Sequence, residues 1–143
     1  MFYNNGLEIL LNGLMAAVIA QLLKLFGYLI KYRQFNFKVL TTTGGMPSSH
    51  SAGVIGMTTT AGIIDGFTSP IFAIALGFSL VVMYDAAGVR RAAGKQARLL
   101  NKIVQTPGLS GLEVQEKLVE VLGHTPIQVF VGALIGLAVG LIF

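Results

Sequence analysis

The sequence predicts an all-α integral membrane protein: a bundle of about four transmembrane helices with one or two cytoplasmic or interfacial helices. The chain is 54% hydrophobic and only 11% charged, with a mean hydropathy of +0.75, whereas soluble domains carry roughly 25% charged residues. Its apolar residues form four segments close to the length of about 20 residues that a helix needs to cross a bilayer. All of its basic residues except Lys24 lie in the connections between those segments.

Composition also excludes several classes of site. The chain has no cysteine and two histidines, which excludes disulfides and thiolate metal sites and disfavours structural zinc. We therefore expect no metal and no cofactor. The basic residues flank apolar segments, which indicates membrane topology and not nucleic-acid binding.

The predicted spans cover residues 7–30, 49–65, 70–88 and 126–143 of a single membrane domain, residues 1–143. In the first span, Gln21 and Lys24 share a helix face that either looks into the bundle or reaches the end of the span. The second span is rich in Gly, Ala, Ser and Thr, which let helices approach closely. The last span is apolar apart from Gln128.

The connections predicted at residues 31–48 and 89–125 set the orientation. All ten Lys and Arg lie within residues 24–38 or 90–117. The positive-inside rule places both connections in the cytoplasm and both termini outside. We expect the cytoplasmic membrane of a bacterium, with any site at the cytoplasmic face.

Residues 84–102 are expected to continue the third helix out of the bilayer. Arg90 falls on a face of small residues, where it could be aimed at a bound phosphate. Asp85 lies near the membrane boundary and is expected either to pair with a neighbouring basic residue or to act in catalysis. A short amphipathic helix with a solvated charged face is predicted at residues 110–122. Four basic residues form one stripe toward water or anionic headgroups: Arg91, Lys95, Arg98 and Lys102.

The stretch Gly44-Gly45-Met46-Pro47-Ser48-Ser49-His50 has the composition of an anion site. Glycines let the backbone approach a ligand, and N–H groups at a helix start beside the hydroxyls of Ser48 and Ser49 favour phosphate. His50 could protonate a leaving oxygen. The alternative interpretation is that the serines cap the helix.

A second cluster, Gly123-His124-Thr125-Pro126, precedes the last span. The predicted topology puts His124 on the same face of the membrane as His50. The two histidines are the only ones in the chain, and each lies beside a hydroxyl and a proline at the mouth of a span. Together with an arginine on that face, they predict a shared site.

These clusters resemble motifs of the type 2 phosphatidic acid phosphatase and vanadium haloperoxidase superfamily. Pro47-Ser48-Ser49-His50 is similar to its Pro-Ser-Gly-His motif, and His124, followed after three residues by Gln128-Val129, is similar to its His, three residues, Asp-Val pattern. The blocks that begin at Gly44 and Asp85 resemble the divergent, small branch of that superfamily. The resemblance covers nearly the whole chain.

The resemblance implies a phosphatase that acts on a membrane lipid carrying a phosphate monoester or diphosphate. By matching motif, His124 would attack phosphorus, His50 would protonate the leaving alcohol, and Ser48 with the Ser49 backbone would bind phosphate. The other candidates are our own inference from position. We expect Gln128 to orient His124, Asp85 to be a further catalytic candidate, and four more residues to hold phosphate: Gly45, Lys38, Arg90 and Arg91.

The chain also departs from the superfamily pattern. Gln128 stands where the superfamily has aspartate and cannot stabilise an imidazolium by charge, so Gln128→Asp is expected to preserve or raise activity. Lys117 and Leu118 stand where a Ser-Arg pair would precede His124, and no Arg-Pro follows a lysine at the family spacing. A noncatalytic protein that binds phospholipid headgroups, or a structural membrane protein, is the alternative. A small transporter is a third reading, and it would require a homo-oligomer.

Overall fold

The computed structural model describes residues 5–40, 44–105, 118–120 and 122–143. These residues form five α-helices: α1 (Asn5–Tyr32), α2 (Ser49–Asp65), α3 (Pro70–Ala87), α4 (Val89–Gln105) and α5 (Pro126–Ile142). A 3-10 turn covers Phe37–Leu40. No strand occurs within the described ranges. The predicted all-helical class is confirmed.

Two helical segments are long and apolar enough to cross a membrane, Gly6–Tyr32 and Pro70–Gln105. The second joins α3 to α4 through Gly88. Helix α5 is a shorter apolar helix, and both α2 and α5 have 17 residues, the lower end of the range of about 17–25 for a span. Two spans are thus supported by length and hydropathy, and the arrangement with four spans stays a prediction.

The sequence marks where three of these helices begin. Ser48, Ser69 and Thr125 precede α2, α3 and α5, and each side chain accepts a hydrogen bond from a backbone N–H three residues later. Such caps satisfy an N–H group that the first helical turn leaves without a partner. Helices α3 and α5 also begin with proline, whose fixed φ suits that position.

Helix α2 is the centre of the bundle and packs against α1, α3 and α5. The buried apolar core is made of small side chains and one valine: Ala16, Ala20, Ala52 and Val139. Three glycines of α5, spaced by four residues, face α2: Gly132, Gly136 and Gly140. A Cβ atom on Gly136 would lie 2.8 Å from the backbone nitrogen of Gly56. Glycine at these positions therefore lets the two helix backbones approach closely.

Buried hydroxyl and amide groups join α2 to its neighbours. The Asn12 Nδ2 group of α1 donates to Thr60 Oγ1 over 3.1 Å. Ser79 of α3 is fully buried, lies 2.8 Å from the hydroxyl of Thr58 and donates to the Val54 carbonyl. Such bonds stabilise helix pairs in a membrane by roughly 0.6 kcal/mol on average.

One expectation about the second connection is wrong. Leu118–Glu120 is not helical, and Glu120 is not on a solvated face, because its carboxylate accepts from Asn101 at 2.9 Å and lies 3.5 Å from Arg98. The Asn101 amide also donates to the Leu118 carbonyl and accepts from the Leu118 N–H. Residues 118 and 120 are thus bound by the Asn101 side chain, and not by the backbone hydrogen bonds of a helix. The rest of the predicted helix, up to residue 117, lies outside the described residues.

Candidate active site at the ends of α2, α3 and α5

Three chain segments meet at one end of the bundle: the loop before α2, the junction of α3 and α4, and the residues before α5. The Ser48 N–H donates to the Gln128 carbonyl over 3.1 Å, and the His124 N–H donates to the Ala86 carbonyl over 2.9 Å. These backbone bonds join segments that are far apart in the sequence. They fix the position of His124 relative to the starts of α2 and α4.

A cavity of about 20 Å³ lies at this junction. The structure brings both histidines and Arg90 to its wall, as the sequence predicts for a shared site. A space of this size holds about one water-sized group. A larger ligand would therefore extend out of the mouth of the cavity. The residues around the cavity are His50, Val82, Ala86, Arg90, Gly123 and His124.

His124 is buried, and its contacts define the role of each ring nitrogen. Nδ1 lies 3.1 Å from the Gly45 carbonyl oxygen and 3.3 Å from Gln128 Oε1. Both of these oxygen atoms can only accept a hydrogen bond, so Nδ1 carries the proton and donates it. The lone pair of the neutral ring is then on Nε2. A histidine held in this tautomer has the form that a nucleophile or a base requires.

The surroundings of His124 favour that neutral form. Burial is the largest influence and lowers the pKa of His124 below its ordinary value of 6.5. The acceptors on Gln128 and Gly45 oppose this shift, and the positive charges of Lys24 and His50 add to it. The imidazole is therefore uncharged at neutral pH.

Gln128 is held in place from both sides. Its side-chain Oε1 also accepts a hydrogen bond from the Thr125 backbone N–H at 3.0 Å. The backbone N–H of Gln128 in turn donates to the Thr125 hydroxyl at 3.4 Å. This reciprocal capping box fixes the amide at the start of α5. The side chain that contacts His124 is thus positioned by the helix cap itself.

Ser48 is a helix cap in this structure. It is fully buried, and its Oγ accepts from the N–H and from the hydroxyl of Ser51. With its backbone N–H bound to Gln128, Ser48 lies behind the cavity wall and not on it. Ser49 and His50 hold the first two positions of α2, where N–H groups have no acceptor within the helix.

Arg90 and Asp85 form an ion pair, with 2.6 Å between Nε and Oδ2. This is the structural pairing that the sequence left open for Asp85. Arg91 is exposed and is not among the residues around the cavity. Gly45 contributes its carbonyl oxygen to His124. The side chain of Lys38 lies outside the part of the chain that the structure describes.

Lys24 is a residue of the site that the sequence did not assign. It is only 6% exposed, and its Cε would lie 2.8 Å from a Cβ placed on Gly45. Its Nζ is 3.4 Å from Gln21 Oε1. Of the two expected orientations of this helix face, the structure has the inward one. The three-residue spacing of Gln21 and Lys24 indicates that they share a helix face, but it does not indicate which way that face points.

Gly123 is a second residue of the site to which the sequence assigned no role. Its φ of +79° belongs to the left-handed region that favours glycine. A Cβ there would lie 2.5 Å from the Arg91 nitrogen and 2.9 Å from the Ala86 carbonyl oxygen. Glycine therefore allows the segment before α5 to contact the junction of α3 and α4, which places His124 beside Arg90.

No group of three or more His, Asp or Glu side chains within the described ranges is arranged to hold a metal ion. The polar side chains around the cavity are two imidazoles and the Arg90 guanidinium, which is paired with Asp85, and Lys24 lies nearby. Such a set suits an anion such as phosphate.

Comparison with known proteins identifies the family. Residues 5–139 match the model of the Divergent PAP2 family. The chain is similar to the uncharacterized membrane protein YuiD of Bacillus subtilis (strain 168), with 40% identity over 144 residues that cover 93% of this chain and 91% of the relative. No solved structure matches the chain. The chain therefore belongs to the Divergent PAP2 family of membrane proteins.

Proposed function

We propose that this protein is an integral membrane phosphatase that removes a phosphate monoester or diphosphate from a lipid through a phosphohistidine. The observation that carries the proposal is the position of His124. Its Nδ1 is bound to two acceptors, and it shares one cavity with His50 and Arg90.

In the first step, the Nε2 lone pair of His124 attacks phosphorus. The Nε2–P bond forms as the bond from phosphorus to the lipid oxygen breaks. Protonated His50 gives its proton to that oxygen, so the lipid leaves as an alcohol. The charge that develops on the His124 ring is stabilised through Nδ1 by the carbonyl oxygens of Gln128 and Gly45.

In the second step, water attacks the phosphohistidine. Neutral His50 accepts a proton from this water, the Nε2–P bond breaks, and inorganic phosphate leaves. His50 is then protonated and His124 is again neutral, which restores the starting state. His124 is thus the nucleophile in the first step and the leaving group in the second, whereas His50 is the acid in the first step and the base in the second.

Three sets of groups would hold the phosphoryl oxygens. Arg90 lies at the cavity and offers a guanidinium fork. Lys24 of α1, whose charge acts on His124, supplies a second positive charge. The backbone N–H groups of Ser49 and His50 point from the N-terminus of α2, where the helix dipole favours an anion. Ser48 supports this arrangement as the cap of α2.

The substrate of this proposal is a phosphorylated lipid of the cytoplasmic leaflet. In this proposal the site end of the bundle faces the cytoplasm and the termini lie outside, in a bacterial cytoplasmic membrane. The distribution of basic residues supports this orientation. The cavity holds about one water-sized group. The lipid therefore remains in the membrane and presents only its phosphate.

A second function, noncatalytic binding of phosphorylated headgroups, is favoured by Gln128. This neutral amide stands four residues after His124, and it stabilises an imidazolium less than a carboxylate does. The same cationic groups would then hold the phosphate without cleaving it.

The test is phosphate release from a panel of lipid phosphates by the purified full chain in vesicles. We expect release by the wild type and a loss of at least about 1,000-fold, roughly 4 kcal/mol, in His124→Asn and in His50→Asn. An asparagine amide at position 124 can still donate to Gly45 and Gln128, so folding is retained. Acid-labile phosphate on the wild-type protein, absent from His124→Asn, would identify the nucleophile.

Lys31→Met is the control variant, because Lys31 is exposed on the same helix as Lys24. It should release phosphate at the rate of the wild type. Folded wild-type protein that binds lipid phosphate and releases none would support the binding function. Activity that persists in His124→Asn would exclude the histidine mechanism.

A further inference from the structure

An apolar groove of about 590 Å³ lies between α1 and α2. One end contains polar groups, those of Gln21, Ser49 and His50. The opposite end is apolar and contains Leu10 and Met57. The groove is therefore polar at the site and hydrocarbon-like along the rest of its length.

His50 lines both this groove and the small cavity that holds His124. The two spaces thus meet at the His50 side chain. A molecule that occupies both must have an anionic end for the cavity and an apolar body for the groove. Phosphorylated lipids have this chemistry.

The groove has the length of a lipid chain within one leaflet. Its wall on α1 extends from Leu10 to Leu22, about 18 Å at the rise of an α-helix. Its wall on α2 extends from Ser49 to Met57, about 12 Å by the same rise. Half of a hydrocarbon core about 30 Å thick is about 15 Å. A chain in the groove can therefore lie in its own leaflet while its phosphate reaches His50.

The floor of the groove is narrow because α1 and α2 approach closely there. A Cβ on Gly53 would be 3.4 Å from the Ala17 Cβ. At the far end, the Met57 side chain covers Gly13 and leaves no room for a side chain at that glycine. The groove thus follows a single helix pair and ends at Met57.

We propose that this groove binds one hydrocarbon chain of the phosphorylated lipid, with Met57 limiting the chain length. The identity of the head as a phosphate rests on the proposed function. Lipid enters sideways from the membrane between α1 and α2, and its phosphate is then presented to His50 and His124. The protein then selects its lipid by the length of the hydrocarbon chain as well as by the phosphate headgroup.

The experiment labels the groove directly. Dodecyl phosphate with a diazirine at the end of its chain is photolysed with the full-length protein in phosphatidylcholine vesicles, and the labelled residues are mapped by mass spectrometry. The two variants compared are Leu14→Trp, which fills the groove, and Leu11→Trp. Both leucines are 54% exposed on α1, and only Leu14 lines the groove.

We expect wild-type label at Leu10, Gly13 and Met57. Leu14→Trp should reduce it at least tenfold, and Leu11→Trp should leave it unchanged. Met57→Ala should shift hydrolysis toward phosphates with longer chains.

The other outcomes separate this inference from the proposed function. Label in the groove without phosphate release would keep the lipid site and reject the phosphatase. Phosphate release with label that is unaffected by Leu14→Trp would keep the phosphatase and reject the groove. Crosslinks between two copies of the chain at these residues, in place of lipid label, would identify the groove as a protein interface and overturn the proposal.

Discussion

Oε1 of Gln128 lies 3.3 Å from Nδ1 of His124 and 3.0 Å from the backbone nitrogen of Thr125. One amide oxygen therefore both caps α5 and orients the histidine. A side chain of the same length is needed to preserve both contacts. This makes Gln128→Glu a sharper variant than Gln128→Asp, whose side chain is shorter by one methylene.

We expect Gln128→Glu to retain the helix cap and to raise the pKa of His124, because a carboxylate favours the imidazolium. Phosphate release at pH 8 should equal or exceed that of the wild type, and the acid limb of the pH profile should move to higher pH. Gln128→Ala is the comparison, since it removes the acceptor altogether. A profile for Gln128→Glu identical to that of the wild type would mean that this contact does not influence the reacting histidine.

The phosphate release proposed for the wild-type protein should show an acid limb with a midpoint below pH 6.5. Burial and the charges of Lys24 and His50 lower the pKa of His124 from 6.5. Because the neutral ring is the proposed nucleophile, we expect activity to be present above this pKa and to be lost as pH falls through it. The measurement is kcat/KM against pH, which reports groups of the free enzyme. A midpoint well above 6.5 would assign the limb to another group.

Arg90→Gln should lower kcat/KM for a lipid phosphate by at least about 100-fold, roughly 2.7 kcal/mol, because it removes the guanidinium at the cavity. Asp85→Asn should lower it by less than about tenfold, mainly through KM, since exposed ion pairs contribute little. Asp85 would then be a positioning residue for Arg90. A collapse of kcat in Asp85→Asn, with a changed pH profile, would instead give Asp85 a catalytic role.

Lys24→Met should lower kcat/KM at least tenfold, about 1.4 kcal/mol, if Lys24 neutralises phosphate charge. Loss of its positive charge should also move the acid limb to higher pH, because that charge lowers the pKa of His124. Lys31→Met on the exposed side should change neither quantity. Equal behaviour of the two variants would assign Lys24 a purely structural position.

Gly136→Ala should destabilise the bundle by about 1–3 kcal/mol, as overpacking does. The new Cβ would meet backbone atoms of α2, 2.8 Å from the Gly56 nitrogen, and the backbone cannot move aside cheaply. Gly77→Ala is the matched control, with nothing within 4 Å of its Cβ, and it should be neutral or slightly stabilising. Thermal unfolding in detergent, followed by circular dichroism, compares the two.

The helices were predictable because local chemistry determines them. Ser48 and Thr125, each before an apolar run, mark helix starts that the structure contains. The site was predictable only in part. The inward direction of Lys24 depends on the position of Gly45 in space, and the non-helical form of Leu118–Glu120 depends on Asn101 seventeen or more residues earlier. Contacts between residues that are far apart in the sequence determine both features, so no local sequence pattern predicts them.

The glycine face of α5 separates a part of the molecule that tolerates few substitutions from a part that tolerates more of them. Because α2 and α5 approach at backbone distance, one closely packed pair of helices holds both His50, at the start of α2, and His124, just before α5. Few substitutions can alter this pair without separating the two helices. Helix α1 forms the outer wall of the groove and contributes exposed side chains such as Leu14 and Val18. If the proposed groove selects the lipid, substitutions on α1 alone can change the hydrocarbon chain that it accepts and leave the pairing of the two histidines intact.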